Sequence, residues 1–165
     1  RPKGGGDLHV ATAIGDYILD LAYLDDAGLF NGTEVEGTEL FHEPTLNALM
    51  SMGRKAWKET RLVISRLLRQ ETDVLRDNND LKNMALIPMN EVEMQLPVDI
   101  GDYTDFYSSK EHATNVGKMF RPDGEPLLPN WLHLPVAYHG RASSVVLTGT
   151  DIVRPKGQKI GRAHV

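Results

Sequence analysis

Cysteine is absent from the 165 residues of this sequence. Its absence excludes disulfide bonds and thiolate metal ligands and fits a reducing compartment. Basic residues are not in excess either, since 18 Lys and Arg stand against 23 Asp and Glu for a net charge of -5. Nucleic acid is therefore not an expected partner.

Long apolar runs and targeting signals are also lacking. No run approaches the roughly 20 residues that cross a bilayer, so we expect no membrane partner. No signal or transit segment is visible. Because the sequence starts at Arg1 rather than at a methionine, a targeting segment upstream of it is not excluded. The length fits one ordinary domain or two small ones.

The first half of the chain alternates strand-like and helix-like patterns. Residues 8–14 and 17–21 are apolar and separated by Gly15-Asp16, which predicts a β-hairpin. Pro44 opens helical territory with an apolar stripe at three- and four-residue steps, formed by Trp57, Thr60, Ile64, Leu67 and Leu68. We expect a short helix over 81–85. Within 86–96, the alternation of Val92, Met94 and Leu96 with Glu91, Glu93 and Gln95 predicts a strand with one solvated face. Further extended segments are expected at 145–147 and 150–154.

Residues 102–121 are the most distinctive stretch. In an extended segment Tyr103, Asp105 and Tyr107 share one face. Ser108 and Glu111 have the spacing of a capping box, which would open a helix with His112 in its first turn and Gly117 at its end. A carboxylate and two phenols followed by an imidazole could gather a metal ligand, hydrogen-bond donors and a base. A buried strand with aromatic packing and a surface histidine explains the same residues equally well.

Taken together, the motifs of this chain resemble those of the fumarylacetoacetase family. The resemblance covers nearly all of the chain up to Gln158. Besides residues 102–121, it is carried by four further segments: residues 13–21 (AIGDYILDL), 44–59 (with PTLN and AWKE), 129–135 (PNWLHLP) and 138–144 (YHGRASS).

The resemblance implies a mainly β fold with helices, of the α+β class. Residues 1–97 would form an SH3-like β-barrel domain with helical elaboration, and 98–159 the incomplete opening part of a β-rich catalytic domain. Residues 160–165 match the translation of a short-read sequencing adapter, so we expect them to be an adapter-derived tail.

The resemblance also implies a metal-dependent hydrolysis. Asp105 corresponds to a carboxylate ligand of a divalent ion, usually calcium, with magnesium as the alternative; oxygen ligands suit such hard cations. His112 corresponds to the general base that activates water, a role that suits imidazole because it titrates near neutral pH. Other ligands of the family, two glutamates and an aspartate, and the glutamate that orients the base lie beyond this chain, so we expect the 165 residues alone to be inactive.

Three further residues correspond to positions that bind the substrate, namely Tyr107, Arg121 and Tyr138. A guanidinium and two phenols can hold carboxylate oxygens through hydrogen bonds. From the residues alone, Arg121 is better explained as a solvated loop arginine and Tyr138 as a residue at the edge of a core.

The remaining polar residues nearby are weaker candidates. His133 and His139 lack a zinc-like spacing, so we interpret them as packing or supporting residues. Arg141, Ser143 and Ser144 do not form a nucleophile elbow and more simply hold a turn. Asp102 is expected to face away from Asp105 and to orient its neighbours.

The implied activity is hydrolysis of the carbon–carbon bond of fumarylacetoacetate to fumarate and acetoacetate, the last step of tyrosine and phenylalanine catabolism. The resemblance also implies a cytoplasmic location. The partners would be a small diketo acid and, in the full-length protein, a second subunit of a homodimer. Two alternatives stay open: a related hydrolase acting on acylpyruvate-type substrates, and a non-catalytic binding module built on the barrel-like domain.

Overall fold

A computed structural model of the protein describes residues 1–154 and 156. The first sheet contains β1 (Ala11–Ile14), β2 (Tyr17–Asp20) and β3 (Leu86–Pro88), all antiparallel with β2 in the centre. Ile14 pairs with Tyr17 across the two-residue turn, where Gly15 adopts a φ of 56° that glycine accommodates without strain. The predicted hairpin is therefore confirmed.

Five helices follow or separate these strands: α1 (Leu21–Asp26), α2 (Asn47–Ser51), α3 (Arg54–Leu67), α4 (Asp73–Arg76) and α5 (Asn79–Ala85). Helix α1 begins immediately after β2 because Asp20 caps it: one carboxylate oxygen accepts the backbone N–H groups of Ala22 and Tyr23. Helix α5 confirms the short helix expected over 81–85, and its side-chain cap is Asn78.

The core lies between β2, α1 and the segment that follows them. Its largest fully buried side chains are those of Phe30, Phe41, Leu19, Leu24 and Val35, and the two phenylalanine rings lie 4.5 Å apart. Helix α3 closes this core with Ala56, Thr60 and Leu67. The predicted α3 stripe is thus largely confirmed, but Trp57 is 45% exposed and donates its indole N–H to the Leu49 carbonyl.

A second, smaller sheet follows in the chain. It pairs β4 (Thr104–Phe106) with β5 (Ala137–His139) in antiparallel register, and between them lies α6 (Lys110–Phe120). Short 3-10 turns occupy Leu40–His42, Met89–Glu91, Pro129–Leu132 and Ala142–Ser144. The strands and helices together confirm an α+β architecture. Among the described residues helices outweigh strands, because each strand is only three or four residues long, so the expectation of a mainly β fold is not met there.

Several finer expectations are not met in the part of the chain that the structure describes. The strands form two open sheets, so a closed SH3-like barrel is not seen there. The strand predicted from the alternation of Val92, Met94 and Leu96 does not form, because the chain turns at Met89–Glu91 and Val92 makes only an isolated bridge to Pro2. The strand of this segment is β3, which lies before the turn. No strand forms at 145–147 or 150–154. The adapter-derived tail predicted at 160–165 lies outside the described residues.

None of the helices within residues 1–154 combines the length and the apolar character required of a membrane span.

Candidate active site

The second sheet brings Asp105 and Tyr138 face to face. They are directly opposite each other in the β4–β5 register, so their side chains share one face of the sheet. The Tyr138 hydroxyl donates a hydrogen bond of 2.6 Å to Asp105 Oδ2. This bond to the carboxylate raises the pKa of Tyr138 above its ordinary value, and partial burial and the charge of Asp105 act in the same direction.

A shallow cleft opens beside this pair. It is lined by Tyr103, Asp105, Tyr138, His139, Gly140, Arg141, Ser144 and Val145. Tyr103 and Asp105 both line the cleft, in agreement with the predicted alternation, whereas Tyr107, which was expected on the same face, is not among the lining residues. The Ser144 N–H donates a hydrogen bond of 3.2 Å to the Arg141 carbonyl. This bond confirms that the segment forms a turn beside the cleft.

Gly140 is a cleft residue whose role the sequence did not reveal. Its N–H donates to the Tyr103 carbonyl at 2.7 Å, and a Cβ at this position would lie 2.8 Å from Cδ1 of the Tyr103 ring. Only glycine permits this close approach, because any side chain would push the ring away. The sequence signal was its position directly after Tyr138-His139, but spacing alone did not distinguish it from an ordinary turn glycine.

Tyr107 lies just past the end of β4. Its N–H donates to the Val136 carbonyl at 3.4 Å, and its ring centre lies 6.3 Å from that of Tyr138. The Tyr107 carbonyl accepts the indole N–H of Trp131 at 3.1 Å. Of the predicted site residues, the structure therefore brings together Asp105, Tyr107 and Tyr138.

His112 lies in the first turn of α6, as predicted. The capping residue is Ser109 rather than Ser108: the Ser109 hydroxyl accepts the His112 N–H at 3.3 Å, so the helix starts one residue later than the capping box indicated. The His112 side chain is exposed and is not among the residues that line the cleft.

Arg121 follows the last turn of α6 and lies in the loop beyond it. Its guanidinium donates to the backbone carbonyls of Glu125 (3.2 Å) and Pro126 (2.7 Å). The helix does not end at Gly117 as predicted but continues to Phe120. Gly117 instead marks a close contact, since a Cβ there would lie 1.7 Å from the Pro126 carbonyl oxygen.

His139 and Asp102 form a second pair beside the cleft, with 2.8 Å between His139 Nε2 and Asp102 Oδ1. The contact agrees with the expectation that Asp102 orients a neighbouring side chain. Both side chains are largely exposed, so the pair contributes little to stability.

A metal site is not complete within the described residues. No group of three or more His, Cys, Asp or Glu side chains is arranged to hold a metal ion there. Asp105 offers carboxylate oxygens of the type that calcium and magnesium bind, but calcium needs about six to eight oxygen ligands. One of the two oxygens of Asp105 already accepts the Tyr138 hydroxyl. The described donors therefore do not by themselves fit such an ion.

Comparison with known proteins identifies the family of this chain. The family model described as "Fumarylacetoacetase N-terminal" matches residues 1–97. Three curated proteins named fumarylacetoacetase are similar to it: those of Oryza sativa subsp. japonica (53% identical over 148 residues), Arabidopsis thaliana (48% over 158) and Homo sapiens (52% over 157).

These matches cover 90%, 96% and 94% of this chain but only 34%, 38% and 37% of the relatives. The chain thus spans about a third of the length of the curated relatives that it matches. Because the family model covers more than half of the chain, the protein belongs to the fumarylacetoacetase N-terminal family.

Proposed function

We propose that this chain forms part of an enzyme that hydrolyses the carbon–carbon bond of fumarylacetoacetate, giving fumarate and acetoacetate, in tyrosine and phenylalanine catabolism. The observation that carries the proposal is that Tyr138 lies beside both Asp105, its partner in the β4–β5 sheet, and the ring of Tyr107. The names of the relatives, which share about half of their aligned residues with this chain, support the same reaction.

His112 acts as the general base in this proposal. Its imidazole takes a proton from water, and the oxygen of that water adds to the carbonyl carbon that joins the fumaryl and acetoacetyl units. The carbon–carbon bond then breaks, its electron pair remains on the acetoacetyl carbon, and that carbon takes up a proton. The sum is the addition of one water and the release of two acids. His112 lies in the first turn of α6, five residues after Tyr107 in the chain. This short separation supports a role for both residues in one site.

Tyr107, Arg121 and Tyr138 bind the carboxylate and carbonyl oxygens of the substrate. Arg121 uses two of its N–H groups on the Glu125 and Pro126 carbonyls, and a guanidinium has five. The others are available to a carboxylate. The Tyr138 hydroxyl that donates to Asp105 can turn to a substrate oxygen when Asp105 is engaged otherwise.

Asp105 supplies one carboxylate to a divalent-cation site whose other ligands come from outside the described residues. Calcium, or magnesium in its place, would polarise a substrate carbonyl when bound. The proposal extends to a cytoplasmic homodimer, with residues 1–97 forming an amino-terminal domain and 98–159 the start of the catalytic domain.

A chimera tests this proposal. The aligned 148 residues of this chain replace the matching segment of the Oryza sativa relative, and fumarate release is measured with fumarylacetoacetate and with acylpyruvates. We expect hydrolysis of fumarylacetoacetate, a loss of roughly 100-fold or more in kcat with His112→Ala, and little change with His133→Ala, a histidine on the same segment of chain. Preference for an acylpyruvate would favour the related hydrolase instead, and an unaffected His112→Ala chimera would remove His112 from the mechanism.

A binding module built on residues 1–97 has less support. The apolar groove of this region is lined by prolines and aliphatic side chains such as Val10, Ile18 and Leu46, and its described lining contains no Phe, Tyr or Trp. An aromatic groove is what recognition of proline-rich peptides would require.

A further inference from the structure

The segment around Trp131 carries a contact that the proposed reaction does not yet use. Pro129 opens the 3-10 turn Pro129–Leu132, a position that suits proline because its missing N–H has no helical partner. This turn places the half-buried Trp131 so that its indole N–H reaches the Tyr107 carbonyl, 24 residues away in the chain, at 3.1 Å.

Tyr107 is held at both sides of its backbone. Its N–H bonds to Val136 at the entrance to β5, and its carbonyl bonds to Trp131. Strand β4 ends at Phe106. The hydrogen bond from the Trp131 indole therefore fixes the backbone of the next residue, Tyr107, which lies just outside the sheet. The chain then runs directly into Ser109, which caps α6.

We propose that Trp131 is a positioning residue for Tyr107: its indole N–H fixes the Tyr107 carbonyl and so holds the Tyr107 ring beside that of Tyr138, which lines the cleft. This inference rests on the proposed role of Tyr107 in substrate binding. A tryptophan suits the task because its ring is rigid and its single N–H donates in one direction only. Without that donor, the half-buried carbonyl must find another partner, and the segment between β4 and α6 shifts.

Trp57 provides a matched control within the same chain. Its indole N–H also donates to a backbone carbonyl, that of Leu49 at 2.9 Å, but it lies in α3 and its bond joins α3 to α2 rather than to a candidate site residue. Two variants, Trp131→Phe and Trp57→Phe, therefore remove one chemically equivalent bond each.

The first experiment measures backbone and ring resonances of Tyr107 by NMR in the 165-residue chain. Trp131→Phe is expected to shift them and to speed amide exchange between Tyr107 and Ser109, while Trp57→Phe leaves them unchanged. Incorporation of benzothienylalanine at position 131 keeps the shape of the ring but lacks the N–H, and it must give the same shifts if the hydrogen bond is responsible. Unchanged Tyr107 resonances in this analogue would overturn the proposal.

The second experiment measures steady-state kinetics in the chimera with the Oryza sativa relative. Loss of one neutral hydrogen bond corresponds to about a fivefold change, so Trp131→Phe should raise KM for fumarylacetoacetate about fivefold with kcat nearly unchanged. Trp57→Phe should change neither. An active chimera whose KM does not respond to Trp131→Phe overturns the positioning role alone, whereas an inactive unsubstituted chimera overturns the proposed function and the role of Trp131 with it.

Discussion

Gly117 is the position where a single methyl group should report most clearly on the packing of α6. A Cβ added there would lie 1.7 Å from the Pro126 carbonyl oxygen and 2.6 Å from its carbon. Ordinary van der Waals contact begins at 3.4 Å, so the loop would have to retreat by about 1.7 Å. Both neighbours are backbone atoms and cannot rotate away. The retreat would also pull the Glu125 and Pro126 carbonyls from the Arg121 guanidinium.

The expected magnitude for Gly117→Ala combines two opposing effects. Alanine favours a helix over glycine by about 1 kcal/mol, whereas overpacking against a fixed neighbour costs about 1–3 kcal/mol. With the lost Arg121 contacts added, we expect the free energy of unfolding to fall by about 1–2 kcal/mol. Urea unfolding followed by circular dichroism measures this change.

Gly124→Ala is the matched control for this experiment. Gly124 lies in the same loop, and a Cβ there would meet no atom within 4 Å. Its substitution should change the free energy of unfolding by less than about 0.5 kcal/mol. The packing of α6 against the loop would be refuted if Gly117→Ala were as stable as the unsubstituted protein.

Three other perturbations have defined outcomes. Asp20→Ala removes the cap of α1 and the partner of His9, so we expect a loss of about 1–2 kcal/mol in urea unfolding, and an unchanged midpoint would contradict the capping role. The raised pKa of Tyr138 means that its hydrogen bond stabilises the folded chain fully below pH 10 and ceases to do so as the pH rises through the folded-state pKa; absorbance titration should show Asp105→Asn lowering that pKa, with Tyr138→Phe identifying the signal. Finally, the 165-residue polypeptide alone should release no fumarate from fumarylacetoacetate in the presence of calcium, since its described residues group no metal-binding set, and measurable turnover would oppose this.

Local sequence patterns predicted the local structure well. The glycine-led turn at Gly15 predicted the first hairpin, and the three- and four-residue apolar spacing predicted α3. Strand alternation correctly grouped Tyr103 with Asp105, since both line the cleft. In each case the signal lies within a few residues, where backbone geometry dictates which side chains share a face.

Long-range contacts escaped prediction because no local pattern encodes them. The partner of Asp105 is Tyr138, 33 residues away. No residue pattern in the sequence predicts that β4 and β5 pair, or in which register. Gly117 resembled a helix end because glycine is common there, but the approach of Pro126 is the physical reason for a glycine at this position. Whether Ser108 or Ser109 caps α6 depends on where the extended backbone after β4 ends. Two adjacent serines fit the capping role equally well, so the sequence does not distinguish them.

The central claim is that Asp105, Tyr107 and His112 serve one pocket. A crystal structure of the chimera with calcium and a non-hydrolysable analogue of fumarylacetoacetate tests it most directly. We expect the Asp105 carboxylate on the cation, the Tyr107 hydroxyl on the analogue, and the His112 imidazole on the side of the carbonyl from which water adds. An analogue that binds with the His112 imidazole and the Asp105 carboxylate facing separate regions, too far apart to contact one small molecule, would contradict the claim.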